Sequence, residues 1–131
     1  MKMDKPISSI MTKSVRTANT EDTLDRLEEL LIAHRISSVP IIDAEGKIFG
    51  IISAADLLRL HSSGKNLRTL RAWEACTYKP IEVSPATPAR DVARLMVKNK
   101  IHHIIVAENK SILGFVSSYD FVEKYVLGED A

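Results

Sequence analysis

The chain is written twice. Arg35-Ile36-Ser37-Ser38-Val39-Pro40-Ile41-Ile42-Asp43 lies over Lys100-Ile101-His102-His103-Ile104-Ile105-Val106-Ala107-Glu108 at a spacing of 65. Gly50-Ile51-Ile52-Ser53-Ala54-Ala55-Asp56 lies over Gly114-Phe115-Val116-Ser117-Ser118-Tyr119-Asp120 at a spacing of 64, one residue having been lost in the turn between. Basic, apolar, two polar and then apolar recurs in the first block, and Gly, Ser and Asp hold their places in the second. A unit of roughly 60 residues buries little core alone, so the two copies are expected to pack on each other.

Each copy announces its elements. Leu24, Leu27, Leu30 and Leu31 fall at helical spacing, and Ala89, Val92, Leu95 and Met96 repeat that stripe. Asp22 is expected to cap the first helix; Thr87 caps the second, with Pro88 at its first helical position. Two β-rich runs follow each helix, Val39–Ile42 then Ile48–Ile52, and Ile104–Val106 then Ile112–Val116. A closing helix is marked by Leu57, Leu58 and Leu60 in one copy and by Phe121, Val122, Tyr125 and Val126 in the other. Each half reads strand, helix, strand, strand, helix. The division is 1–62 for the first domain and 63–131 for the second, His61-Ser62-Ser63-Gly64 being the linker and Leu67, Leu70 and Trp73 marking a linker helix.

Composition removes several function classes. The 131 residues hold 18 Lys and Arg against 17 Asp and Glu, so there is no basic excess to suit a nucleic acid or a membrane surface. The short basic group Lys65, Arg68 and Arg71 reads as a solvated helix face. No run approaches the ~18 apolar residues of a membrane span, and the first residues lack a signal-peptide core, which makes the cytoplasm the expected location. Cys76 is the only cysteine, which excludes an internal disulfide and a multi-thiolate metal site; it reads as a packed residue. His102 and His103 are adjacent and would point apart on a strand, and His34 and His61 lack a ligating spacing, so no metal site is expected. Ser63-Gly64-Lys65-Asn66 is not a phosphate-binding loop, because Arg59 stands where its first Gly belongs and Asn66 replaces the Ser or Thr. No nucleophile elbow is present, and the chain is read as a non-enzyme.

The repeated Ile-x-x-apolar-Pro-apolar-apolar-Asp followed by Gly-apolar-apolar-Ser-x-x-Asp resembles the cystathionine-β-synthase (CBS) domain, which usually occurs as a tandem pair called a Bateman module. The resemblance covers nearly the whole chain. One departure is visible: Pro40 follows Val39 in the first copy, whereas Ile105 stands at that place in the second. The resemblance implies an α/β (α+β) fold of two βαββα repeats packed sheet to sheet around a pseudo-twofold axis. It further implies two clefts that take an adenosine nucleotide (AMP, ADP or ATP), with S-adenosylmethionine or NAD as other ligands, and no catalytic cofactor. Family members act as metabolite sensors for enzymes, channels or transporters, and small free-standing pairs exist; here the effector protein is unknown. A homodimer forming a four-domain disc is also implied, with Leu57, Leu58, Leu60, Phe121, Val122 and Tyr125 as its candidate contacts.

The residues themselves suit such a ligand. Ser53 and Ser117 stand where a β-run gives way to a helix, beside free backbone N–H groups and a positive dipole end that favour phosphate. Asp56 and Asp120, one turn later, can accept from both hydroxyls of a ribose. Equally, Ser-x-x-Asp can simply cap the helix. Ile36 and Ile101 offer apolar walls for a base or belong to the ordinary core, and the backbone around Ser37-Ser38 and His102-His103 can read an adenine edge. By resemblance, Ser53 and Asp56 share a cleft with Ile101, His102, His103, Lys79 and Ile81. Ser117 and Asp120 share the other with Ile36, Ser37, Ser38, Thr12 and Ser14. Only the cleft with the histidines is then expected to respond to pH near neutrality. The rival reading is a structural or interaction module with empty clefts.

Overall fold

In the computed structural model, which describes residues 2–128, the first leucine stripe becomes the buried face of helix α1 (Leu24–His34), with Leu24, Leu27 and Leu31 inside. Strands β1 (Ala18–Asn19), β2 (Ser38–Ile42) and β3 (Ile48–Ser53) and helix α2 (Ala54–Ser62) complete the first repeat. Helix α3 (Ala72–Ala75) and strand β4 (Thr77–Tyr78) follow. The second repeat has β5 (Glu82–Val83), α4 (Ala89–Asn99), β6 (His103–Glu108), β7 (Ser111–Ser117) and α5 (Ser118–Phe121), the last running into a π-helical turn, Val122–Val126. Mixed α/β architecture and the strand-helix-strand-strand-helix order are as the repeat foretells.

One sheet runs β1-β2-β3-β4 and the other β5-β6-β7. In each, the short first strand is parallel to the central one and the hairpin is antiparallel, with Val39 opposite Ile52 and Ile104 opposite Val116. Those four side chains are fully buried, and in β3, where buried and half-buried residues alternate, a one-residue slip would turn the buried set outward, which pins the register. Pro40 sits in β2 opposite Ile51, and Ile105 opposite Phe115 in β6, so both are accommodated at equivalent rungs.

The chain divides into two compact units that follow a different cut from the repeat. One is Arg16–Pro80; the other joins the residues up to Val15 to those from Ile81 onward. Each unit therefore holds one repeat and the segment that precedes the other repeat. Backbone hydrogen bonds explain this. The Leu24 N–H donates to the Leu70 carbonyl at 3.0 Å and the Asp25 N–H to that of Leu67 at 3.2 Å, while the Ala89 N–H donates to the Lys5 carbonyl at 2.8 Å. Lys5 and Leu70 are themselves 65 apart, so the device is duplicated with the rest.

This capping displaces the helix starts expected at Asp22 and Thr87. The residues before the helices are Thr23 and Pro88, neither of which caps through its side chain, because main-chain carbonyls already satisfy the first donors. Asp22 instead accepts from the Asn19 N–H at 2.9 Å, and the Thr87 hydroxyl meets that of Ser84 at 3.1 Å. The linker helix is likewise reduced to the single turn of α3. Leu67 is buried in the core of the first repeat and Leu70 packs against it.

The segments that cross over press on glycines. A Cβ at Gly50 would lie 2.5 Å from the Thr77 carbonyl oxygen and 2.6 Å from Cys76 Sγ. One at Gly114 would lie 2.8 Å from Met11 Cγ, and Met11 and Cys76 are again 65 apart. Cys76 is thus a packing residue, its thiol pushed up by burial. No helix among the described residues is long and apolar enough to cross a membrane.

Candidate functional site

Both Ser-x-x-Asp motifs lie at a strand-to-helix junction. Ser53 ends β3 and caps α2: the Asp56 N–H donates to Ser53 Oγ at 3.2 Å, and Asp56 Oδ2 accepts from the Ser53 N–H at 2.8 Å and from its hydroxyl at 2.9 Å. Ser117 and Asp120 repeat the box, with bonds of 3.2 and 2.7 Å. Capping is therefore a role these residues do fill. It occupies Oδ2 of each carboxylate and leaves Oδ1 outside the box.

The polar segments are tied to the same junctions. The Ala54 N–H donates to the Ser37 carbonyl at 2.8 Å, and the Ser118 N–H to the His102 carbonyl at 2.9 Å. Ser38 stands opposite Ser53 on the ladder, and His103 opposite Ser117. The buried Ser38 hydroxyl donates to the Ile52 carbonyl at 3.2 Å, so it is committed to the sheet. Ile36 and Ile101 pack against the core of their own unit.

The early residues flank the junctions from the other side. Thr12 exchanges two 2.9 Å backbone bonds with Phe115, and Thr77 pairs with Ile51. Lys79 follows in a left-handed conformation (φ 52°), its N–H donating to the Phe49 carbonyl at 3.2 Å and its ammonium 5.4 Å from the Tyr78 ring centre. Ser14 is exposed. Ile81 belongs to the other unit and packs against that core. One unit thus gathers Ser53, Asp56, Ser37, Ser38 and Lys79; the other gathers Ser117, Asp120, His102, His103, Thr12 and Ser14.

Sequence reasoning passed over two residues. Thr77 is the counterpart of Thr12 at a spacing of 65. Arg59 pairs with Asp56 Oδ1, one turn along α2, whereas the counterpart of Arg59 in the second repeat is Glu123. An acid followed three residues later by a base on a helix was the available signal.

His103 changes the pH expectation. Its ring stacks on Phe115, with centroids 5.2 Å apart and planes 14° from parallel. Burial holds its pKa below the ordinary histidine value, the neighbouring His102 adds to that, and Asp120 opposes it. The Asp120 junction, expected to be flat in pH, therefore contains a titrating imidazole, which gains its proton below the usual range. Because the folded pKa is depressed, stability from the neutral ring is full above the unfolded pKa of ~6.5 and is lost as pH falls through the folded value. Melting temperatures between pH 7.5 and 5 should fall less for His103→Gln than for the parent chain; equal falls would show that His103 carries no such linkage.

Comparison with known proteins matches the CBS domain family model to residues 7–63 and 72–127. The chain is 24% identical over 128 residues to an uncharacterised protein of Methanocaldococcus jannaschii, covering 98% of this chain and 45% of that one. It is 30% identical over 109 residues to an inosine-5'-monophosphate dehydrogenase of Bifidobacterium longum, covering 82% of this chain and 20% of that one. It spans less than half the length of either relative. Among solved structures, the CBS domain pair of protein MJ0100, in complex with 5'-methylthioadenosine and S-adenosyl-L-methionine, superimposes with a TM-score of 0.85 at 26% identity, over 92% of this chain and 95% of that one.

Proposed function

Because the chain belongs to the CBS domain family through both of its repeats, we propose that it is a non-catalytic regulatory module that binds an adenosine nucleotide or related adenosyl compound. The observation that carries this reading is the duplicated junction, in which a serine, a half-buried carboxylate and a helix N-terminus recur with the same hydrogen bonds. The adenosyl ligands of the MJ0100 pair support the ligand class. The carboxylate oxygen outside each capping box accepts from ribose hydroxyls, and the helix N-terminus attracts phosphate. In this reading the polar segments Ser37-Ser38 and His102-His103, bonded to the Ser-x-x-Asp junctions through the Ala54 and Ser118 amides, line the adenosyl ligand. Thr12, Ser14 and Lys79 serve as flanking residues, and Ile36, Ile81 and Ile101 as apolar ones. Ligand binding favours one conformation over another and so changes what an effector protein meets.

The module is further proposed to act as a homodimer. The sequence candidates divide here: Leu57 is buried and Leu60, Phe121 and Tyr125 pack on their own cores, so they are spent within the chain. Leu58 is 67% exposed, and its counterpart Val122 is exposed too. Ile32 and its counterpart Val97 are 72% and 80% exposed, so each repeat presents apolar residues on two helical elements. Calorimetry with AMP, ADP, ATP, S-adenosylmethionine and NAD, with light scattering on the same samples, tests both statements. Heat of binding without turnover, at up to two ligands per chain and a mass twice 14.6 kDa, is the expected result. Silence from every adenosyl ligand would favour an interaction module with empty clefts, and a monomer at high concentration would remove the dimer.

A further inference from the structure

The two junctions are built alike up to the second carboxylate oxygen and differ there. Asp56 Oδ1 is held by the Arg59 guanidinium. In the second repeat Glu123 stands at the place of Arg59, so the position three residues after Asp120 carries the same sign of charge as that carboxylate. The Asp56 side chain is 19% exposed and that of Arg59 70%, so the guanidinium lies at the solvent side and can swing away without unpacking the core. We propose that Arg59 is a specificity-determining residue, which closes the first ribose-binding carboxylate to uncharged adenosyl ligands and opens it to phosphorylated ones.

The inference rests on the adenosyl-binding reading and deepens it. A ribose that takes Asp56 Oδ1 must displace Arg59 from it. For a neutral ligand such as adenosine, that exchange loses an ion pair and leaves the guanidinium to water. For a ligand with a 5'-phosphate, the displaced guanidinium stays within about one helical turn of the α2 N-terminus and gains a new anion with two or more parallel N–H donors. The second junction has Glu123 where the first has Arg59, and that carboxylate repels an anion. One chain then carries two sites that differ in their preference for phosphate, the first being the more selective.

The experiment compares AMP with adenosine, using Asp120→Ala to isolate the first site. Arg59→Gln should reduce the preference for AMP by roughly tenfold, the scale of one charge-assisted contact, and strengthen adenosine binding about twofold, the scale of an exposed pair on one helix. Arg59→Lys should keep most of the AMP preference. In the Asp56→Ala chain, Glu123→Arg should raise the AMP preference of the second site. The amide signals of Ser53 and Ser117 in the chain with both aspartates intact report the two sites separately, so the answer does not depend on an aspartate variant folding. An unchanged AMP preference in Arg59→Gln overturns this inference and leaves adenosyl binding standing. Absence of any adenosyl binding to the unaltered chain overturns both.

Discussion

Asp56→Ala and Asp120→Ala should each remove one of two adenosyl sites, lowering the stoichiometry by one and weakening the affected site by about 10- to 100-fold. The magnitude follows from the acceptor. A hydrogen bond to a charged group contributes about 1.5–3 kcal/mol, and the ribose hydroxyls left facing an alanine are desolvated without a partner. Both residues also serve their capping box, so each variant should lose about 1 kcal/mol of stability. Asp→Asn at the same positions separates the two roles, since an amide oxygen still accepts from the serine N–H while the charge is gone. Calorimetry and urea unfolding on the four variants give both quantities. If Asp56→Ala and Asp120→Ala keep full stoichiometry and affinity, these aspartates are caps alone and the ribose assignment fails.

Gly50→Ala should destabilise the chain by about 1–3 kcal/mol, the range for forcing a methyl into a filled space. The neighbours cannot yield cheaply, because the nearest atom, 2.5 Å from the added Cβ, is the main-chain oxygen of Thr77. Relief requires β4 to separate from β3, which breaks the pairing of Gly50 with Tyr78 and of Ile51 with Thr77. Faster hydrogen exchange at the Lys79 amide, which donates to Phe49, would report that separation and link it to the first junction. Gly46→Ala is the control. Gly46 has a φ of 78° and nothing within 4 Å, so it costs only the conformational strain of about 1 kcal/mol. Equal stability of Gly50→Ala and the parent chain would show that the crossing segment does not bear on this glycine.

Much of the fold was legible because its determinants are local and written twice. The leucine stripe of α1 and its copy in α4, the paired β-runs and the Ser-x-x-Asp junctions each lie within a window of a few turns or rungs, where side-chain period reports burial directly. Duplication then separated signal from chance: Ser-x-x-Asp alone is a common cap, whereas two copies behind two matching strands point to one family. The places of Ser53, Asp56, Ser117 and Asp120 at strand-to-helix junctions were legible to the same depth.

What escaped depends on contacts between distant parts of the chain. Nothing in the text around Asp22 or Thr87 says that carbonyls of Leu70 and Lys5 will satisfy the first helical donors, so the strong capping residues were favoured and the helix starts were misplaced. Leu67 and Leu70 carry helical spacing, yet their burial in the first unit's core overrides that local preference. The same holds for Leu57 and Phe121, whose apolar character is equally consistent with an outer contact face and an inner one. Sequence alone determined that there are two equivalent units and where their polar junctions lie. Tertiary structure alone decided which segment completes each unit and which carboxylate oxygen is engaged, because those outcomes turn on hydrogen bonds and close approaches between residues tens of positions apart.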